Sequence, residues 1–142
     1  MLVIANPDKR ILFLSNPYCG SVHDYSILQA EFDPDDPLWF TENDIHVDLG
    51  FLGIKKDYEG SRIKIPIKRK RRKSKKDMVV PFSEAEKEHN KKVGSKRIYV
   101  ENAIGGMKRY WWLTHRLRCR DAEYYSMIAS VAAGLWNFSL KP

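Results

Sequence analysis

The order of elements written into this sequence predicts an α/β domain with a mixed sheet. Three observations lead to that fold class. Leu2 to Ala5 and Ile11 to Ser15 are short β-rich runs separated by Asn6-Pro7-Asp8-Lys9, a tight-turn composition. Arg62 to Lys68 alternates Ile63, Ile65 and Ile67 with polar residues or proline, the period of a strand. Ala122 to Asn137 sets Tyr125, Ile128, Ala129, Ala132 and Trp136 on one apolar stripe at helical spacing. Strands early and helices late in one short chain pack as sheet against helix.

The first two runs form a hairpin. Asn16 to Gly20 leads into a helix over about Val22 to Ala30, with Ser21 and Asp24 in the pattern of a capping box. That role for Asp24 is preferred to a metal-hydrolase pairing of His23 with Asp24. Glu31 to Asn43 is acidic, contains Pro34 and Pro37, and reads as a surface loop anchored by Trp39 and Phe40. Its Asp33, Asp35 and Asp36 lack the glycine and distal glutamate of a calcium loop. Ile45 to Asp48 reads as a strand, with Gly50 releasing the backbone beyond it. Pro66 places the Arg62–Lys68 strand at a sheet edge. Ser83 and Glu86 make a second capping box for a helix to about Lys92, closed by Gly94. Ser95 then caps a separate helix through Lys108, and Asp121 caps the last one.

With 142 residues the chain is expected to be one domain, long enough for a real core. Its charge is local. The run Lys68-Arg69-Lys70-Arg71-Arg72-Lys73-Ser74-Lys75-Lys76 supplies eight positive charges, and without it the formal +7 becomes −1. A basic loop over 68–80 suits a polyanion such as DNA, with a solvated loop or targeting signal as the plain alternative. A second basic segment, Arg109 to Arg120, interleaves Tyr110, Trp111 and Trp112 with arginines, and half of those aromatics are expected in the core. Cys19 and Cys119 are far apart, which disfavours a disulfide framework or zinc site and fits a reducing cytoplasm. The apolar stretch Met127 to Leu140 is shorter than the ~20 residues a membrane span needs. A soluble, cytoplasmic protein without membrane contact is expected.

Two carboxylates stand out. Asp48 closes a strand, where its side chain projects beyond the sheet. Glu101 lies four residues after Arg97 and seven before Lys108, so the three share one helical face. A carboxylate between two cations suits a site for metal ions and phosphate. The plain reading of Glu101 is an exposed ion pair with Arg97, worth only a few tenths of a kcal/mol. Gly105-Gly106 lowers helix propensity by about 1 kcal/mol per glycine, which points either to a close approach or to a local break.

Asp48-Leu49-Gly50-Phe51, the Arg97-x3-Glu101-x6-Lys108 spacing and Gly20-Ser21-Val22-His23-Asp24 occur here in one order. Together, over about residues 2 to 138, they resemble the DDE transposases of bacterial insertion sequences and their Harbinger-like relatives. Some relatives carry a tyrosine three residues before the arginine; here that position is Gly94.

The resemblance implies a ribonuclease-H-like fold. It implies Asp48 and Glu101 as catalytic ligands of a divalent metal, Mg²⁺ by expectation, and Arg97 and Lys108 as phosphate contacts. Lys68, Arg69, Lys70, Arg71, Arg72 and Lys73 would lie along the DNA. In that family the first catalytic Asp sits on a central strand upstream of the opening hairpin. The chain therefore reads as a partial DDE catalytic domain over 1–142, incomplete for want of that strand. It would work with the upstream part of the transposase or as a homo-oligomer and be inactive alone, through a frameshifted fusion or as a decayed remnant. Non-catalytic DNA binding through the basic run is the main alternative, and an RNA-binding protein the third.

Neutralised phosphates release counterions, so binding by the basic run falls as salt rises. Replacing the charges of residues 68 to 76 with neutral side chains is expected to flatten the salt dependence equally on unrelated DNA sequences. A filter-binding titration that gives an unchanged slope would assign the run to solvent.

Overall fold

The computed structural model describes residues 1–36, 38–58, 62–69, 81–110, 113 and 121–140. The chain divides into two compact units, one of Met1–Asp33 with Ile98–Pro142 and one of Pro34–Arg97. Its strands form two separate two-stranded ladders among the described residues, rather than one mixed sheet.

In the first unit, β1 (Val3–Ala5) pairs antiparallel with β2 (Ile11–Leu14), Val3 opposite Leu14. The turn is closed by Lys9 N–H donating to Asn6 O at 2.9 Å, and the Asn6 side chain accepts from Arg10 N–H at 2.9 Å. Lys9 itself sits at φ 65°, the left-handed conformation that follows such a turn. Helix α1 runs Asp24–Glu31. Its N-cap is His23 rather than Ser21: the imidazole Nδ1 accepts from Tyr25 N–H at 3.2 Å. The site read as a capping box is thus a histidine cap, and His23 has a structural task.

Helix α5 (Ala122–Ser139) begins as expected, with Asp121 accepting from Glu123 N–H at 2.9 Å. Ile128, Ala129, Ala132, Ala133 and Trp136 are buried, so four of the five stripe residues, all but Tyr125, are in the core. Trp136, Ala133, Ala103, Met107 and Ile11 form one apolar cluster, with Val3, Ala5, Leu14, Leu113 and Leu140 around it. The end of α5 also grips the hairpin by hydrogen bonds. The Asn137 carboxamide accepts from Ile11 N–H at 2.8 Å and donates to Ile11 O at 2.9 Å. The Trp136 indole donates to Lys9 O at 2.8 Å.

Helix α4 (Glu84–Lys108) corrects the reading of two helices broken at Gly94. Its start matches the capping box: Ser83 Oγ accepts from Glu86 N–H at 3.2 Å, and Glu86 Oε2 from Ser83 N–H at 2.8 Å. It then continues through Gly94. One glycine costs about 1 kcal/mol, too little to end a helix pinned by buried Val93, Ala103 and Met107. Ser95 caps nothing; its hydroxyl donates back to Lys92 O at 2.8 Å, a bond that fits inside a helix. Nor do Gly105 and Gly106 break it. A side chain on Gly106 would run into the Trp136 ring, so this glycine serves a close approach.

In the second unit, α2 (Leu38–Glu42) is a short helix inside the stretch read as loop. It seats Phe40 in the core, its ring 4.4 Å from that of fully buried Tyr58. Next, β3 (Asp44–His46) pairs parallel with β4 (Arg62–Lys64), Ile45 beside Ile63. Between them lie a 3-10 turn (Leu49–Phe51) and α3 (Ile54–Asp57), entered through Gly53 at φ 108°. The backbone conformation that needs glycine is therefore at Gly53, not Gly50. β4 is shorter than the alternating isoleucines suggest, because Pro66 has no N–H to continue a ladder. The chain beyond is held by side chains instead. His89 Nε2 lies 3.0 Å from Ile65 O, and the Asn90 carboxamide bonds both Ile67 N–H (2.7 Å) and Ile67 O (3.2 Å).

The two adjacent glycines give opposite expectations. Gly106→Ala forces a methyl into the Trp136 ring and is expected to cost about 1–3 kcal/mol. Gly105→Ala meets open space and raises helix propensity, so it should stabilise by about 0.5–1 kcal/mol. Urea unfolding of both variants checks the pair; equal effects would remove the packing explanation.

Candidate active site

Asp48 stands two residues past β3 and caps the 3-10 turn, its Oδ1 accepting from Leu49 N–H at 2.6 Å. The ladder persists to its neighbour, since Val47 N–H donates to Lys64 O at 3.1 Å. The carboxylate is therefore carried one residue past the last ladder bond and fixed by the turn that follows. Arg97 Nη1 donates to the same Oδ1 at 3.0 Å, joining motifs 49 residues apart in sequence. Both contacts use one oxygen, Oδ1. The two side chains are 49% and 34% exposed, which keeps the pair accessible and its contribution to stability small.

Beside it lies a mixed-charge strip. Lys64 and Asp44 form an ion pair at 3.7 Å across the parallel ladder. Burial, then the charges of Lys64 and Lys96, push the His46 pKa below its usual value, while Asp44 pulls the other way. Its Nδ1 is shielded and meets no hydrogen-bond partner among the described residues.

Helix α4 carries Arg97 and Glu101 one turn apart and Lys108 two turns further on. Glu101 and Lys108 are exposed, so neither is a core residue. Asp48 and Arg97 belong to one unit, Glu101 and Lys108 to the other. Lys68 and Arg69 are exposed, and the Arg69 guanidinium stacks over the Phe82 ring at 5.1 Å. Lys70, Arg71, Arg72 and Lys73 lie outside the described residues, as do Cys119 and most of the second basic segment. Of that segment, Arg109 lies over the Trp136 ring at 5.8 Å, a packing role.

The donor chemistry suits a hard divalent cation, because Asp48 and Glu101 offer carboxylate oxygens on exposed side chains. Among the described residues no group of three or more His, Cys, Asp and Glu gathers at metal-binding distance. The grips by Asn90 and His89 were not visible beforehand, since nothing local marks an asparagine that will bond a backbone segment 23 residues away.

A family model described as DDE superfamily endonuclease matches residues 1–137, which includes every candidate residue above. The chain belongs to the DDE superfamily of endonucleases. No curated protein and no solved structure matches it. At family level this means DNA as substrate and transposase-like DNA cleavage, in enzymes that generally use divalent metals. Among the described residues no helix is long and apolar enough to cross a membrane.

Within this DDE chain, Asp48→Asn keeps an acceptor for Leu49 N–H and loses only an exposed charge contact. It is expected to change stability by less than about 1 kcal/mol, as is Arg97→Ala. Denaturant unfolding measures both. A loss above about 2 kcal/mol in Asp48→Asn would make the carboxylate a structural residue.

Proposed function

We propose that this chain is the downstream part of a transposase catalytic domain that cleaves and rejoins DNA strands. Asp48 and Glu101 are two of the carboxylates that hold its divalent ions, Mg²⁺ in the reading we favour. When bound, such ions activate the attacking oxygen and stabilise the leaving one at a phosphodiester. Arg97 orients Asp48 through Oδ1 and leaves the other oxygen to a cation. The Arg97 guanidinium, with the Lys108 ammonium, serves the flanking phosphates. The segment Lys68, Arg69, Lys70, Arg71, Arg72 and Lys73 follows the DNA backbone.

The observation that supports this reading best is the Arg97–Asp48 contact, which unites two motif residues in a chain matched to the family over residues 1–137. A third carboxylate comes from the upstream part of the transposase, on a strand that completes a ribonuclease-H-like sheet. The second reading is a DNA-binding remnant without cleavage that uses the basic run, of which Lys68 and Arg69 are exposed.

A plasmid-nicking assay with Mg²⁺ or Mn²⁺ tests the proposal. The 142-residue chain alone is expected to bind DNA without nicking it. Fusion to the polypeptide encoded upstream should restore cleavage, and Asp48→Ala or Glu101→Ala in that fusion should abolish cleavage while sparing DNA binding. Robust metal-dependent nicking by the chain alone would overturn the proposed division of ligands, and full activity in either alanine variant would overturn the site.

A further inference from the structure

Helix α5 has two apolar faces. One is in the core. The other exposes Tyr124, Met127, Val131, Leu135 and Phe138, the last of them 90% exposed. Their positions are symmetric about Val131: Met127 and Leu135 lie four residues on either side, Tyr124 and Phe138 seven. Four and seven are the spacings that return to one side of an α-helix, so all five fall on a narrow stripe.

We propose that this stripe binds the same stripe of a second copy of the chain, with the two α5 helices antiparallel and Val131 on the two-fold axis. An isologous contact requires a surface complementary to itself after a half-turn. Here rotation about Val131 sets Tyr124 against Phe138 of the partner subunit and Met127 against Leu135 of the partner subunit. Large residues meet large ones, with an aromatic pair at each end and a small β-branched residue at the centre. Gly134 lies at the border of the stripe with open space where a side chain would project, leaving room for the partner helix. Charge also permits self-association. From Ala122 to Ser139 the only ionised side chain is Glu123, at the helix start and off the stripe. Antiparallel helices align their dipoles favourably as well.

Area points to a reversible dimer. The five side chains expose roughly 500 Å² per copy, so pairing removes about 1,000 Å² in total, near the lower bound for a specific interface. A patch of that size is also at the upper end of what a monomer leaves in water. The inference stands on α5 alone and does not depend on the DNA chemistry.

Sedimentation of the nucleic-acid-free chain up to about 100 μM tests it. The unsubstituted chain should show a concentration-dependent dimer. Val131→Glu and Val131→Lys each place like charges face to face at the axis and should be monomeric, with unchanged helical circular dichroism because Val131 is exposed. An equimolar mixture of the two variants should associate again, as a glutamate–lysine heterodimer. A chain monomeric throughout, variants that dimerise like the parent, loss of helix in both variants, or a mixture that stays monomeric would each overturn the proposal.

Discussion

Trp136 lies with its ring against Gly106 of α4 and its indole nitrogen bonded to Lys9 of the hairpin turn, so three elements meet at one side chain. The arrangement works only because position 106 has no side chain. A glycine inside a helix is a local cost of about 1 kcal/mol, offset here by an aromatic ring that can be buried while its N–H finds a partner. Once the ring is seated, the next residue, Asn137, is delivered to the backbone of Ile11 in β2, and Ala133 and Met107 close the cluster. Two short strands are at best marginally stable by themselves in water. The hairpin therefore owes its place to the end of α5.

An asparagine side chain carries the same donor and acceptor as a peptide group, and the fold uses that equivalence twice. Asn137 bonds both backbone groups of Ile11, and Asn90 bonds both backbone groups of Ile67. Ile11 opens β2 at the end of its ladder, and Ile67 lies three residues past β4. In this way strands of three or four residues end without leaving those polar groups unsatisfied. At Ile67 the clamp has a charged neighbour, because the basic run starts at the next residue. Its first cations, Lys68 and Arg69, leave from a fixed point on α4, and Arg69 is held against Phe82.

The chemistry of the DDE family requires carboxylates that are accessible yet held in place. Asp48 meets both demands. Its side chain is half exposed and is positioned by a backbone N–H and a guanidinium on a single oxygen. The same helix that delivers Arg97 to Asp48 carries Glu101 one turn on. Exposure has a second consequence at α5, where the stripe centred on Val131 is as apolar as the buried face.

Much of this was legible in the sequence for definite reasons. The hairpin, the Ser83–Glu86 box, the Asp121 cap and the buried face of α5 depend on residues within a few positions of one another, and local chemistry determines them. The motif order that led to the DDE superfamily is likewise a property of the string. Other features came from tertiary contacts. Gly94 and Ser95 looked like a boundary, but Val93, Ala103 and Met107, buried along the same helix, outweighed one glycine. The acidic stretch looked like a loop until the burial of Phe40 against Tyr58 drew a turn of helix into it. Ser21 gave way to His23 as a cap because only the folded chain decides where the first turn begins. The sequence by itself determined which residue types are present and how they are spaced along each element. Which of them meet across 49 or 126 residues, Asp48 with Arg97 and Ile11 with Asn137, was decided by packing, because the contacts that form are those allowed by the burial of the whole core.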